Sequence, residues 1–371
     1  MTSTIFVNRT GRISGAETVL LRLVDEALSR GLCVRVVCPT GPLVEQLPEG
    51  VGHLPIDELD LGGQKGMGRV SGLIELGRRW RRAAKVIRRV EEPNGHIVIN
   101  SLVALPAARL ARPRRGVSWL VHDIVSDAKQ RFLVGVSKKV IARTVAVSPP
   151  TADAVRALGI DVGVSPLGIH VQPARGARIP AGRPVVGIMG LLTPWKGHEV
   201  LLDALAKVPD VRCEIAGGIF PADQAYADEL RRRAEQPPLT GRVSFLGHVD
   251  PFATMSRWDA LVSASTLPEA GPIVAIEAMS IGVPVIATAH GGPAWLLRDG
   301  AGVLVPPGDA EALAAAITDT VGKDGSGLAA MVAVARQRVL DFHDATRTTP
   351  AMLDALLGAD DRQLKSEFYA G

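Results

Sequence analysis

The chain has 371 residues, a formal net charge of +4, 47% apolar residues and only 4% aromatic ones. That length allows two domains with full cores, filled by Ala, Val, Leu and Ile, and favours α/β layers with buried parallel strands over a disordered or disulfide-stapled chain. Three cysteines without a C-x-x-C pair predict a reduced, cytoplasmic protein. No apolar run reaches the length of a membrane span, and the opening MTSTIFVN lacks the pattern of a secretion signal. Charge is uneven: residues 1–175 carry 25 Lys+Arg against 15 Asp+Glu, and residues 176–371 carry 17 against 23. Two domains with different partners are expected.

In chain order, Ile5 to Val7 reads as a strand. Ala16 to Ser29 reads as a helix with Val19, Leu20, Leu23, Val24 and Ala27 on one face, stopping at Gly31. Val34 to Cys38, Ile97 to Ile99, Ser118 to Val121 and Thr144 to Val147 are further strands. The stretch VQPARGARIPAGR (171–183), rich in Pro, Gly and Arg, reads as a linker. After it the pattern restarts, with a strand at Val185 to Met189, a Gly-bounded loop, and a helix at His198 to Ala206. Strands follow at Val211 to Ala216, Val243 to Leu246, Ala260 to Ser263, Val285 to Ala287 and Val303 to Pro307, then a helix at Glu311 to Val321. The alternation predicts two doubly wound, Rossmann-like parallel-sheet domains, 1–170 and 184–345. A C-terminal helix and polar tail (346–371) are expected to pack back on the first domain.

The segment Ser265 to Ala287 carries the strongest chemical signal. A small-residue loop with Glu269, Ala270 and Gly271 precedes a short helix that opens near Pro272 and stops at Gly282. Such a helix start offers unpaired N–H groups and a partial positive charge to a phosphate. Glu269 and Glu277 stand on either side as hydroxyl acceptors, so a nucleotide sugar is the expected ligand. Lys196, at a helix start just after a strand, is placed to reach its diphosphate.

With SGAE (14–17), VHD (121–123), RVSFLGHV (242–249), LPEAGPIVAIEAM (267–279) and GVLVPPGDAEALAAAI (302–317), these residues occur in an order that resembles family 4 of the glycosyltransferases, an architecture called GT-B in which two Rossmann-like domains face a cleft. The resemblance implies transfer of a sugar from a nucleoside diphosphate sugar, with retention, by front-face attack. It places Glu277 at the ribose, Glu269 beside the transferred sugar, Lys196 at the diphosphate and His122 near the reacting carbon. It places Gly15, Gly247, Gly271, Ile273 and Val274 along the donor. Two departures stand out: Leu191 occupies the position of a usual arginine, and Ala270-Gly271-Pro272 replaces a usual Gly-Phe-Gly. A nucleotide-sugar epimerase on the same fold, or a non-catalytic nucleotide-sugar-binding protein, are the alternatives. No Asp-x-Asp or His-x-x-x-His pair occurs, so no metal cofactor is expected.

One further stretch, Leu73 to Val90, sets Leu73, Leu76, Trp80, Ala83, Ala84, Ile87 and Val90 at helical spacing opposite six cations. Two readings stay open: an acceptor or membrane surface of Arg78, Trp80, Arg81, Arg82 and Lys85 against anionic lipid at the inner face of the plasma membrane, or a helix whose apolar side packs on the first sheet. A glycan or lipid-linked acceptor suits the basic half. Nucleic acid does not, because no aromatic-interleaved face accompanies the charges.

Overall fold

The computed structural model of the protein describes residues 3–59, 68–175, 178–180 and 182–359. Gly176, Ala177 and Ala181 of the expected linker, and residues 360–371 of the expected tail, lie outside the described residues. The chain forms two compact units, Met1–Gly168 with Thr346–Gly371, and Ile169–Ala345.

The first unit is built on a seven-stranded sheet, parallel throughout, in the order β3-β2-β1-β4-β5-β6-β7. Its strands are β1 (Ser3–Val7), β2 (Cys33–Cys38), β3 (Gly52–Pro55), β4 (His96–Ile99), β5 (Val117–Val121), β6 (Ile141–Ala146) and β7 (Gly163–Val164). β1 and β5 are buried along their whole length, as an apolar run covered on both faces requires. The connecting helices are α1 (Gly15–Ser29), α2 (Pro42–Glu45), α3 (Gly68–Val90), α4 (Leu105–Ala111), α5 (Ala128–Ser137) and α6 (Pro149–Arg156). In α1 the five apolar residues at helical spacing are all buried, and Gly31 follows the helix at φ 72°, where an L side chain is strained. α3, α4 and α5 share one hydrophobic core with β1, β4 and β5, so they cover the same face of the sheet.

A six-stranded parallel sheet, in the order β10-β9-β8-β11-β12-β13, organises the second unit. Its strands are β8 (Val185–Met189), β9 (Arg212–Ala216), β10 (Val243–Gly247), β11 (Ala260–Ser263), β12 (Val285–Thr288) and β13 (Val303–Val305). The helices are α7 (His198–Lys207), α8 (Gln224–Ala234), α9 (Pro251–Met255), α10 (Ile273–Ile281), α11 (Gly291–Leu296), α12 (Ala310–Val321) and α13 (Gly325–Phe342).

The last helix, α14 (Ala345–Leu357), belongs almost wholly to the first unit. Met352, Leu353, Ala355 and Leu356 are buried, Arg30 pairs with Asp354, and the Ser118 hydroxyl donates to the Leu356 carbonyl. Where the chain passes between the units, Ile169 N–H donates to His343 O at 2.8 Å and Ala345 N–H to Ile169 O at 2.9 Å, which holds the two connections side by side. Strand order reverses at β1/β4 in one sheet and at β8/β11 in the other. In open α/β sheets, ligands collect at the carboxyl ends of the strands flanking such a switch point.

Candidate active site

The loops leaving β8, β11 and β12 build a polar cluster at the switch point of the second sheet. Lys196, in a short 3-10 turn after β8, lies with Nζ 2.8 Å from Glu269 Oε2. Ser265 donates to the other carboxylate oxygen. The Ser265 carbonyl accepts from Thr288 Oγ1 and from His290 Nε2, each at 2.9 Å, so Nε2 is the protonated nitrogen of His290. Gly292 N–H donates to Glu269 O at 2.6 Å, and an added Cβ on Gly292 would sit 2.4 Å from the Ala270 carbonyl. Only a glycine lets the two loops close. Glu269 is 8% exposed and the Lys196 side chain 20%, so the pair is largely withdrawn from water, and each charge depends on the other. The Trp195 ring lies 4.4 Å from Lys196 Nζ, and the Trp195 carbonyl accepts from Thr266 N–H, tying the β8 loop to the β11 loop.

Beside this pair stands the start of α10. The N–H groups of Ala275 and Ile276 turn back to the Pro272 carbonyl. Those of Ile273 and Val274 come one position too early for such a partner, and Gly271 before them is half-buried. Glu277 is half-buried in the second turn. A row of glycines follows the carboxyl edge the other way. Gly217 N–H donates to Gly247 O at 2.7 Å, and a Cβ on Gly217 would lie 1.7 Å from Gly190 O. Gly247 itself is exposed at φ 67°. That edge leaves bare backbone open to a ligand. The structure thus brings Lys196 and Glu269 into contact, with Gly271, Ile273, Val274 and Glu277 on the adjoining segment and Gly247 on the glycine edge.

In the first unit, His122 follows β5 directly and anchors a buried relay of side chains. His122 Nε2 lies 2.8 Å from Asn100 Oδ1. Asn100 Nδ2 donates to Asn8 Oδ1 at 3.1 Å and to Ala16 O at 3.3 Å. Asn8 Nδ2 donates to Glu17 Oε1 at 3.0 Å and to Thr10 O at 2.9 Å. Glu17 also receives Ser14 N–H at 3.0 Å across the first turn of α1. Both amide hydrogens of each asparagine are committed, which fixes their orientation and makes Nε2 the protonated nitrogen of His122. His122 is half-buried as a residue, and burial of its ring pushes its pKa down to about 4, so the ring is neutral at pH 7. Gly15, the first residue of α1, is exposed beside this relay. Asn8 and Asn100 escaped the sequence reading. The available signal was their position, each the first polar residue after a buried apolar run at the switch strands.

The basic helix divides its residues between two tasks. Leu76, Ala83, Ala84 and Ile87 are buried, and Trp80 and Val90 pack against the same core. The Trp80 indole donates to Val103 O at 2.8 Å, so its polar tip faces protein. Arg78 and Arg79 pair with Glu75, and Arg82 with Asp57 and Glu75. Arg81 and Lys85 are exposed, with no ion pair among the described residues. Among the described residues, no three His, Cys, Asp or Glu side chains gather to hold a metal, and no helix is long and apolar enough to cross a membrane.

Comparison with known sequences assigns each unit. The pattern described as Glycosyltransferase Family 4 matches residues 13–172, and that described as Glycosyl transferases group 1 matches residues 174–337. The chain belongs to the family 4 glycosyltransferases. Curated relatives include a D-inositol 3-phosphate glycosyltransferase of Mycolicibacterium paratuberculosis, 30% identical over 65% of this chain and 52% of the relative, and one of Mycobacterium marinum, 30% identical over 73% and 59%. The chain spans about half the length of these curated relatives. Among solved structures, Anabaena HepE with UDP and glucose superposes with a TM-score of 0.79 at 24% identity, covering 96% of this chain and 99% of HepE. A sucrose-phosphate synthase from Thermosynechococcus elongatus gives 0.80 at 22% identity, covering 97% and 100%. These neighbours share the GT-B fold of the family.

Proposed function

We propose that the chain transfers a sugar from a nucleoside diphosphate sugar to a glycan or lipid-linked acceptor, with retention of anomeric configuration. The observation that carries this reading is the Lys196–Glu269 pair at the switch point of the second sheet, beside the opening turn of α10. In the free protein Glu269 holds Lys196. An entering diphosphate takes over the ammonium group, and the N–H groups of Ile273 and Val274 add to the charge it meets. Leu191 supplies no cation, so Lys196 carries more of this task. Glu269, released from the lysine, accepts hydroxyls of the donor sugar, and Glu277 accepts those of the ribose. During transfer the bond from C1 to the diphosphate oxygen breaks and a bond from C1 to the acceptor oxygen forms on the same face. The acceptor proton passes to the departing phosphate, so no side-chain nucleophile is needed.

HepE is described in complex with UDP and with UDP-glucose, which makes UDP-glucose the first donor to try. The curated relatives are named for an inositol phosphate acceptor, and a phosphate-bearing acceptor suits the basic excess of residues 1–175. The test is a melting-temperature screen of UDP-, GDP- and ADP-sugars against wild type and Glu277→Ala. A true donor at a hundred times its Kd adds about 2.7 kcal/mol of stability, and Glu277→Ala loses most of that shift. NMR of the product made with an acceptor panel then reports the anomer. An inverted product removes the retention claim. A donor that binds without turnover, or that is epimerised with no acceptor present, removes the transferase reading.

A further inference from the structure

We propose that the Trp195 indole is a positioning residue for Lys196, a neutral hold that keeps the ammonium group aimed once Glu269 has released it. The role presupposes a diphosphate donor at this site, as proposed above. Trp195 is 38% exposed and stands outside the core that Leu192, Leu201 and Leu202 join close by in the chain. A single exposed apolar side chain is ordinary, but this one is fixed in place. Pro194 opens its 3-10 turn and Gly197 closes it at φ 72°. The Trp195 carbonyl accepts from Thr266 N–H at 2.8 Å and from Thr266 Oγ1 at 3.3 Å. With its backbone anchored in this way, the ring lies under Lys196 Nζ, 4.4 Å from centroid to nitrogen, inside the range of a cation–π contact. The lysine stem passes Gly190, where an added Cβ would lie 3.7 Å from Lys196 Cε. The ammonium group thus has two holds, the Glu269 carboxylate at 2.8 Å and the indole face.

The two holds differ in charge, and that difference decides what each can do. A carboxylate competes with a diphosphate for the same cation, so Glu269 must give way when the donor enters. The indole has a quadrupole but no net charge, so it attracts the ammonium group and leaves its other side open to an anion. Trp195 also shares the turn with Lys196 and follows it, whereas Glu269 comes from the β11 loop. A lysine side chain loses rotamer freedom when it grips a ligand, and a ring that already restricts those rotamers makes the loss smaller. Leu191, half-buried on the same loop, brings no second cation, so donor affinity depends on how well Lys196 is aimed. Charge on the departing diphosphate grows during transfer, so the same hold favours turnover as well as binding.

The test compares wild type with Trp195→Phe, which keeps a π face, and Trp195→Leu, which keeps only apolar bulk. Carbon-13 NMR of the free, lysine-labelled protein reads the contact directly. The ε-methylene protons of Lys196, assigned through Lys196→Arg, are expected upfield of the other lysines, because the ring shields them. They return to the common position in Trp195→Leu and keep part of the displacement in Trp195→Phe. Titration calorimetry then uses UDP-glucose, or the GDP- or ADP-sugar that raises the melting temperature more. Trp195→Leu is expected to bind about three- to tenfold more weakly, and Trp195→Phe within about twofold of wild type. At saturating donor, turnover falls in the leucine variant and recovers in the phenylalanine one. Both changes are made at the surface, and unchanged melting curves without ligand confirm an intact fold. Lysine resonances and donor affinity that Trp195→Leu leaves untouched overturn the proposal. So does a phenylalanine variant as weak as the leucine one, which would make the size of the indole the cause. If wild type binds no nucleotide sugar, the reading of the site fails and the proposal with it; wild-type binding that Trp195→Leu keeps in full sinks the proposal alone.

Discussion

His122 is held as a neutral ring with a chosen tautomer. Asn100 has both amide hydrogens committed, so its oxygen must face His122 Nε2, and the proton sits there. Nδ1 then remains an acceptor, the form suited to a sugar hydroxyl. The protein around the ring sets its pKa near 4, below the ordinary 6.5. Burial, with the charge of Lys196 adding to it, does the same to His198 in the second unit. Both folded values lie below the unfolded one, so the unfolded chain takes up protons first as pH falls. The stabilising contribution is complete above about pH 6.5 and is lost between there and about pH 4. Nitrogen-15 NMR is expected to show a neutral Nε2–H ring for His122 at pH 5.5; an imidazolium there contradicts the assignment. Asn100→Ala is expected to cost about 1–3 kcal/mol in urea unfolding, because it strands a buried hydrogen-bond partner on either side, and to blur the tautomer signature at pH 7. At the other site, Lys196→Ala leaves the Glu269 carboxylate buried without its cation. The expected cost is about 3–5 kcal/mol at full burial, reduced here because the lysine is one-fifth exposed, together with loss of the donor-induced melting shift.

At the scale of elements, the loop carrying Lys196 is held by one glycine. Gly197 adopts φ 72° between the 3-10 turn and α7, and an added Cβ would lie 1.8 Å from the Ala264 carbonyl. Gly197→Ala must therefore push the β8 loop away from the β11 loop and open the Lys196–Glu269 contact. The expected outcome is a loss of about 1–3 kcal/mol in stability and of donor binding, with secondary structure kept; full donor binding in the variant would show that the loop is not preorganised by this contact. Much of this frame was legible beforehand. Long strands between covering helices must be apolar on both faces, which is why β1, β2, β8, β11 and β12 stood out within a residue or two of their ends. The stop of α10 was equally plain, because Gly282 has φ 81°, a conformation few other residues adopt. What stayed hidden has physical causes too. β3 is a half-exposed edge strand of Gly, His, Leu and Pro, and β7 has two residues, so neither shows a period. α4 is buried on several sides and lacks an amphipathic pattern. Asn8 and Asn100 carry no motif; their partners come from distant segments, and only the sheet order brings the ends of β1 and β4 together. In α3 the sequence showed a stripe and a field of cations, but not that Trp80 turns inward to Val103 while Leu73 stays in water.

Taken whole, the molecule is two units threaded by one chain that returns to the first at its end. α14 contributes Met352, Leu353 and Leu356 to the first unit, each fully or almost fully buried, and its Asp354 pairs with Arg30. Burying a large apolar side chain is worth about 1.5–3 kcal/mol, so three of them supply roughly 5–9 kcal/mol, comparable to the whole stability of a typical domain. A chain ending at Ala345 therefore removes that contribution from the first unit and nothing from the sheet of the second, whose strands all precede it. Calorimetry of the full chain and of this shortened one separates the two. The shortened chain is expected to lose the cooperative transition of the first unit while retaining that of the second, and its melting shift with the nucleotide sugar is expected to persist, because Lys196, Glu269 and Glu277 all lie in the retained unit. Loss of that shift together with the first transition would mean that donor binding needs residues of the first unit as well. The transition of the first unit surviving unchanged would mean that α14 adds little to it and that its buried side chains are replaced by rearrangement of α1.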